Sequence, residues 1–205
     1  MTSDTRDRQI DQAIAHLKKT DKKLAPVIKR VGRLDYINRR IGFDALVKII
    51  IGQQLSGTVA NAIYRKLCRT ACCRTATVKA LRQLEDAALR AAGLSNAKTR
   101  AVRDLIDKID SGKLNIRAFR RMSDEQVAEA ITQVKGMGPW SAQMYLMFTL
   151  GRLDVFAGGD LGIQKAICKL YGVNRSKTDF ETFGDRWRPY RTIACWYLWA
   201  SLDNR

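Results

Sequence analysis

The sequence predicts an all-α protein. Apolar residues recur at helical spacing along most of the 205 residues, as Ile10, Ile14 and Leu17 do near the N-terminus. No segment shows the strict alternation of apolar and polar residues that is typical of a half-buried strand. The only prolines that interrupt the pattern are Pro26, Pro139 and Pro189. We therefore expect helices throughout, without a sheet.

Helix boundaries are predicted from polar caps, glycines and the ends of the apolar pattern. Ser123 with Gln126 three residues later is a capping-box sequence, and Gly93 is typical of a helix stop. The segment 43–55 is almost entirely apolar, so we expect it to be buried. In chain order the predicted helices span residues 10–18, 24–31, 43–55, 58–67, 77–92, 96–109, 123–134, 140–150, 160–170, 179–187 and 189–202.

The charge balance indicates a polyanionic partner. Hydrophobic residues make up 46% of the chain and charged residues 28%, which is typical of a globular protein and disfavours disorder. Lys and Arg number 37 against 20 Asp and Glu, a net charge of +17. Nucleic acid is the commonest partner for such a chain. A basic protein without such a partner remains an alternative. The first residues form no apolar signal core, and no stretch reaches the roughly 20 apolar residues of a membrane span.

Cysteine and histidine positions argue against several kinds of site. The five cysteines show none of the paired spacing of a zinc site, and His16 is the only histidine. A Ser-His-Asp or Cys-His catalytic pair is disfavoured for the same reason. An odd cysteine count without a signal peptide favours reduced thiols.

The most informative stretch spans residues 134–142. A predicted helix ends, Gly136 and Gly138 make a tight turn, and Pro139 opens the next helix at its favoured first position. Backbone N–H groups in such a turn suit a phosphate. An ordinary corner between two helices is the alternative.

A glycine-rich loop ending in an aspartate follows at residues 153–160. A hairpin, an apolar helix and then this loop resemble the helix-hairpin-helix superfamily of DNA glycosylases. Three further stretches are similar to its alkylation-repair branch, the 3-methyladenine DNA glycosylases, and above all to the short fission-yeast type. They are Ile51-Gly52-Gln53-Gln54-Leu55-Ser56, Gly93-Leu94-Ser95-Asn96-Ala97-Lys98 and Trp187-Arg188-Pro189-Tyr190-Arg191.

The resemblance implies a single domain over residues 1–205 in which two helical lobes flank a DNA-binding cleft. We expect one lobe at residues 44–150, carrying the hairpin. Residues 1–43 and 151–205 would form the other.

The resemblance assigns the chemistry to Asp160. Breaking an N-glycosidic bond develops positive charge on the sugar, which a fixed carboxylate stabilises. The alternative role for Asp160 is the N-cap of its helix.

The lesion base must be flipped out of the duplex, and a cationic base is attracted to aromatic faces. Trp140, Trp199 and Met144 would line the base pocket, although each Trp could equally be a core residue.

Two departures from the family bear on mechanism. Relatives that also cleave DNA carry a lysine where Trp140 stands, so hydrolysis by water is implied. The loop that inserts into the DNA stack would be Gln54, Leu55 and Ser56, whose alternative role is a helix connection with polar caps. Leu55 and Ser56 are small for this wedge, so we expect weaker flipping of the base. Residues 157–159 lack the family's proline, so we expect a looser loop before Asp160.

The resemblance also implies a phosphate-binding site and a cation site, in which backbone groups make many of the contacts. The residues expected to contact phosphates are Gly136, Met137, Gly138, Ser141, Gly93, Ser95 and Lys98. The carbonyls of Thr132, Val134 and Met137 would hold a structural monovalent cation, Na⁺ or K⁺. No other cofactor is expected.

The function that follows is a monofunctional DNA N-glycosylase removing alkylated purines of the 3-methyladenine type in base excision repair. The alternative is a catalytically weak or inactive homologue that binds abasic or distorted DNA. A nucleic-acid packaging protein would explain the charge but not the hairpin and aspartate. We expect a monomer whose partner is damaged double-stranded DNA rather than a membrane, nuclear if eukaryotic and cytoplasmic if bacterial.

Overall fold

The computed structural model describes residues 3–34 and 42–202. Within these ranges all regular structure is helical, so the all-α prediction is confirmed. None of these helices is both long enough and apolar enough to cross a bilayer. The α-helices are α1 Ser3–Thr20, α2 Leu24–Val31, α3 Phe43–Gly52, α4 Gly57–Thr70, α5 Val78–Arg82, α6 Asp86–Ala91, α7 Asn96–Asp110, α8 Asp124–Thr132, α9 Pro139–Tyr145, α10 Leu161–Tyr171, α11 Phe180–Gly184 and α12 Arg191–Ala200.

The chain forms two compact units. The first consists of Met1–Tyr36 with Arg152–Arg205, and the second of Ile37–Gly151. Our sequence boundaries lay at 43/44 and 150/151. The structural boundary at 36/37 falls in the stretch 35–41, outside the described residues.

In the first unit, α12 is the central helix. It packs against α1, α2 and α10. Seven consecutive α12 residues, 192–198, are buried. A helix that is apolar on all sides is stable only when neighbouring helices bury it, as they do here.

In the second unit the buried helix is α3, which packs against α4, α7 and α9. Seven of its ten residues are buried, which confirms the expectation drawn from its apolar sequence. Each large aliphatic side chain so buried contributes about 1.5–3 kcal/mol. The helix ends at Gly52 rather than at residue 55, and Gln54 then adopts a left-handed conformation with φ 57°.

Two predicted helices are interrupted. The segment predicted as 77–92 forms two short helices, α5 and α6. At this break, the carbonyls of Leu81, near the end of α5, and of Leu84, between the two helices, accept hydrogen bonds from the Arg103 guanidinium of α7. The segment predicted as 140–150 changes from an α-helix to a π-helical turn at Leu146–Leu150. The first change involves a long-range contact that local periodicity does not encode.

Candidate functional site

Asp160 lies in the first unit, at the N-cap of α10. Its Oδ1 accepts a hydrogen bond from the Ile163 backbone N–H at 3.0 Å. The same oxygen accepts the indole Nε1–H of Trp199, from α12, at 2.9 Å. Asp160 and Trp199 are both half-buried. Two donors from different helices therefore fix this carboxylate in position.

Gly162 makes room for that hydrogen bond. A Cβ added there would lie 3.0 Å from Asp160 Oδ1, 3.0 Å from Trp199 Cδ1 and 3.2 Å from Trp199 Nε1. Such distances are tighter than ordinary van der Waals contact. Either the indole or the carboxylate would have to shift to admit a methyl group.

The loop leading to Asp160 is tied down. The Asp160 N–H donates to the Ala157 carbonyl at 2.9 Å, and the Gln164 amide donates to the Gly158 carbonyl at 2.8 Å. Glu181 packs so closely that a Cβ on Gly158 would come within 2.6 Å of its Oε1. Burial raises the pKa of this Glu181 carboxyl. These contacts tie the loop to α10 and α11 where the family has a proline, and the looser loop stays a prediction.

The stretch at residues 187–191 anchors the start of the same loop. Arg191 Nε donates to Asp154 Oδ1 at 2.8 Å, and Arg188 donates to Asp154 Oδ2 at 3.0 Å. The Arg191 side chain is only 16% exposed, so this pair is partly desolvated. Thr192 continues the connection, since its N–H donates to the Leu153 carbonyl at 3.0 Å. These contacts give the stretch a positioning role for the loop that carries Asp160.

The hairpin lies in the second unit, between α8 and α9. Gly136 has φ 77°, a conformation that favours glycine. The Gln53 side-chain amide donates to the Gly136 carbonyl at 2.8 Å and to Ser141 Oγ at 3.0 Å. Ser141 is 1% exposed, so this bond satisfies a buried hydroxyl. Gln53 therefore fastens the hairpin to the end of α3.

Other predicted phosphate-binding residues make bonds within the unit. The Met137 N–H donates to the Val134 carbonyl at 3.0 Å. The Lys98 ammonium donates to the carbonyls of Ile51 and Gln53 at 2.7 and 2.9 Å. Burial lowers the pKa of Lys98. This ammonium holds the C-terminal end of α3, and its phosphate contact stays a prediction.

The turns at Gly93 and Ser95 connect α6 to α7. Ser95 is the N-cap of α7, and its Oγ accepts the Lys98 backbone N–H at 3.3 Å. Gly93 lies two residues before Ser95, and a Cβ added to it would lie 3.1 Å from Ile63 Cγ1. Their predicted phosphate contacts also stay predictions.

The predicted wedge residues lie in the exposed turn between α3 and α4. Leu55 is 38% exposed, a high value for a large apolar side chain. Ser56 Oγ accepts the Val59 N–H at 3.4 Å and so caps α4. The left-handed Gln54 is uncommon for a non-glycine residue, and such conformations cluster at functional sites. The turn is thus a capped helix connection that also presents an apolar side chain.

A pocket of about 200 Å³ lies in the second unit beside that turn. Its lining includes Leu55, Trp140 and Met144, so the structure brings two predicted base-pocket residues together with a wedge residue. Trp199 belongs to the first unit, where it contacts Asp160.

The hairpin carbonyls fit a hard monovalent cation in their chemistry. Thr132 is the last residue of α8, and carbonyls in the last helical turn have no intrahelical donor. Among the residues that the structure describes, no group of three or more His, Cys, Asp or Glu could hold a metal ion. A site here would therefore be built from the carbonyl oxygens of Thr132, Val134 and Met137.

The family follows from comparison with known proteins. Residues 47–192 match the HhH-GPD superfamily of base excision DNA repair proteins. The chain belongs to this superfamily. It is 27% identical over 203 residues to the alkylbase DNA glycosidase-like protein mag2 of Schizosaccharomyces pombe, covering 95% of each chain.

Two solved HhH-GPD relatives have similar folds. A DNA-3-methyladenine glycosidase from Bacillus halodurans is 33% identical, with a TM-score of 0.77 over 94% of this chain and 89% of that one. The 3-methyladenine DNA glycosylase Mag1 of S. pombe, solved in complex with abasic DNA, is 26% identical. Its TM-score is 0.81 over 92% of this chain and 95% of that one.

Three contacts at the candidate site of this HhH-GPD protein were not identified from sequence: Gln53 with the hairpin, Gly162 beside Asp160, and Asp154 with Arg191. Gln53 and Arg191 stood inside the stretches that carry the resemblance, without an assigned role. Gly162 lies two residues after Asp160, in the first turn of α10. A glycine inside a predicted helix was the available signal, because glycine is a poor helix former unless packing requires it.

Proposed function

We propose that this protein is a monofunctional DNA N-glycosylase that removes alkylated purines of the 3-methyladenine type from duplex DNA. The observation that carries the proposal is the Asp160 carboxylate, held by Ile163 and Trp199 at the start of α10. Membership of a base excision repair superfamily supports the reaction class. Relatives named as 3-methyladenine glycosylases support the substrate class.

The carboxylate acts on the charge that develops as the glycosidic bond breaks. The sugar gains positive, oxocarbenium-like character, and a preorganised anion lowers the energy of that state. Asp160 also orients the attacking water. Trp199 and the helical N–H of Ile163 keep the carboxylate from rotating, so little reorganisation is needed during the reaction.

The flipped base enters the pocket of the second unit. Trp140 supplies an aromatic face, and Met144 and Leu55 supply apolar contacts. Unstacking a base costs a few kcal/mol, and burial of its faces in such a pocket offsets part of that cost.

Phosphate binding accompanies base recognition. The net charge of +17 supports DNA as the partner. We propose that a monomer binds damaged double-stranded DNA. The Met137 N–H is committed to Val134, so we assign the hairpin phosphate contact to the backbone of Gly136 and Gly138. A monovalent cation on the hairpin carbonyls would stiffen this turn. The protein would act where genomic DNA is, in the nucleus of a eukaryote or the cytoplasm of a bacterium.

The proposal is tested by incubating the protein with methylated duplex DNA and separating the released bases by chromatography. Release of free alkylated purine, leaving abasic sites and an intact backbone, supports it. Absence of base release over many hours at excess enzyme contradicts it.

A second candidate function is favoured by the wedge. Ser56 is small and its hydroxyl caps α4, so the inserting turn has no large planar side chain among Gln54, Leu55 and Ser56. A protein of this kind would bind abasic or distorted DNA and excise little. Tight binding to an abasic duplex without base release from methylated DNA distinguishes this candidate from the first.

A further inference from the structure

The C-terminal end of α4 is a Schellman motif, a common way to close a helix. The N–H of Cys72 donates to the Arg69 carbonyl at 3.1 Å, and the N–H of Cys73 donates to the Cys68 carbonyl at 3.0 Å. Cys72 has φ 48°, the left-handed conformation that this motif requires and that glycine usually supplies. Three of the five cysteines of the chain therefore lie at one helix end.

The motif brings two of these thiols together. Its two backbone bonds fold the chain back, so the side chain three residues before the cap residue contacts the one two residues after it. Because Ala71 is the cap residue, these positions are Cys68 and Cys73. Burial, and then the neighbouring Cys68 thiol, raise the pKa of Cys73, which agrees with a close approach of the two sulfur atoms.

Contacts further along the chain keep the pair in place. Ala76, three residues after Cys73, donates its N–H to Asp44 Oδ1 at 3.0 Å and to the Tyr64 hydroxyl at 3.2 Å. The segment that follows α4 is therefore fastened to α3. Cys68 is 7% exposed, whereas Cys73 is half-buried. Cys73 is thus the member of the pair that a dissolved oxidant reaches, and Cys68 is the thiol behind it.

We propose that Cys68 and Cys73 form an oxidisable thiol pair, which peroxides convert into an intramolecular disulfide. The alternative is that the two side chains only fill the apolar contact that accompanies a Schellman motif, since cysteine also behaves as a small apolar residue. Two facing thiols differ from other apolar pairs in that they can be oxidised to a covalent bond. This chemistry does not depend on the proposed glycosylase activity.

The oxidation proceeds in two balanced steps. The Cys73 thiolate attacks hydrogen peroxide, the O–O bond breaks, and a sulfenic acid and hydroxide form. The Cys68 thiolate then attacks the Cys73 sulfur, the S–O bond breaks, and the disulfide forms as a second hydroxide leaves. The hydroxides take up the two thiol protons, so peroxide is reduced to water while the two thiols are oxidised. A dithiol such as dithiothreitol reverses the oxidation by exchange.

Peptide mapping of the full chain tests this proposal. The raised pKa of Cys73 keeps thiolate scarce near neutral pH, so the protein is treated with hydrogen peroxide at mildly alkaline pH. Remaining thiols are blocked with N-ethylmaleimide before digestion with trypsin without reduction. Trypsin cuts after Arg69 and Arg74, which places Cys68 in one peptide and Cys72 and Cys73 in the next. Mass spectrometry should find these two peptides linked, and dithiothreitol should separate them.

Two variants identify the partner of Cys68. Cys73→Ser should abolish the link, whereas Cys72→Ser should retain it, because Cys72 is exposed and does not stand at a contact position of the motif. A link that persists in Cys73→Ser would contradict the proposal. So would wild-type protein in which peroxide oxidises Cys72 to its sulfonic acid without linking the peptides, an outcome that needs no variant to fold.

Oxidation of the same two variants in urea is the matched control. Cys72 and Cys73 are almost equally distant from Cys68 along the chain, so without the Schellman motif both variants should give similar amounts of linked peptide. In the folded state, Cys72→Ser should give far more link than Cys73→Ser. If the folded variants also give similar amounts, the geometry of the helix end is not responsible and the proposal is wrong.

Discussion

At the scale of single residues, Asp160 has two roles that its sequence position left open. The structure shows the capping role directly, through the Ile163 N–H. The bond from Trp199 is not needed for capping, and it constrains the carboxylate from a second helix. Trp199 was predicted as a base-pocket residue. The contact that the structure gives it makes it a positioning residue for Asp160.

Gly162 tests that positioning. Gly162→Ala should lower the excision rate roughly ten- to a hundredfold, because small misplacements of a catalytic group are costly. The added methyl displaces Trp199 or Asp160. The thermal unfolding temperature of the variant, measured alongside, separates this effect from a loss of stability caused by the same displacement. The matched control is Gly159→Ala, where a Cβ meets nothing within 4 Å. Equal activity of both variants would show that the Trp199 contact has no catalytic importance.

Trp140 leads to a second prediction at this scale. An enzyme that uses an amine nucleophile forms a Schiff base, which borohydride reduces to a stable protein–DNA adduct. Trp140 has no amine, and Lys48, which lines the same pocket, has its ammonium paired with Asp44 at 2.7 Å. Borohydride treatment during turnover should therefore yield no adduct by denaturing gel electrophoresis. A band of covalent complex would contradict hydrolysis by water.

At the scale of helices and turns, local signals were read correctly and long-range contacts were not. The capping box of Ser123 and Gln126 is present because both partners lie within one turn. Arg103, about twenty residues away, bonds to the carbonyls at the break between α5 and α6, and Glu181 packs against the loop before Asp160. Periodicity could not supply either contact. The same applies to the site, where the sequence indicated Asp160 but not the partners that hold it.

Gln53 connects the end of α3 to the hairpin, and its replacement should affect both stability and DNA binding. Gln53→Leu removes two hydrogen bonds to the hairpin and leaves the buried Ser141 hydroxyl without this donor. We expect a loss of about 1–3 kcal/mol in the free energy of unfolding, measured by urea denaturation. Binding to an abasic duplex should weaken as well, because the hairpin loses its anchor.

The control for this prediction is Gln83→Leu, the same exchange at an exposed position between α5 and α6. If both variants unfold at the same urea concentration, Gln53 does not fasten the hairpin.

At the scale of the whole molecule, the net positive charge is expected to set the affinity for DNA but not the preference for a damaged base. The excess of 37 basic over 20 acidic residues predicts DNA binding that falls steeply with salt. The slope of log affinity against log salt should be about 0.9 for each phosphate neutralised. Damaged and undamaged duplexes should show similar slopes, since phosphate contacts carry no base information. Fluorescence anisotropy at several salt concentrations measures the slope for each duplex. An affinity that does not change with salt would contradict the prediction that phosphate contacts dominate binding.

The central claim is that the Asp160 carboxylate performs catalysis, and one comparison tests it most directly. Asp160→Asn keeps a good N-cap, so unfolding should change little, but it removes the negative charge. Asp179 caps α11 through the N–H groups of Glu181 and Thr182, and Asp179→Asn is the same exchange at a structural cap. We predict that base release from methylated DNA falls by about 10²–10³ in Asp160→Asn and stays at the wild-type rate in Asp179→Asn, with abasic-duplex binding retained in both. Base release by Asp160→Asn at the wild-type rate would contradict the account and leave Asp160 as a helix cap alone.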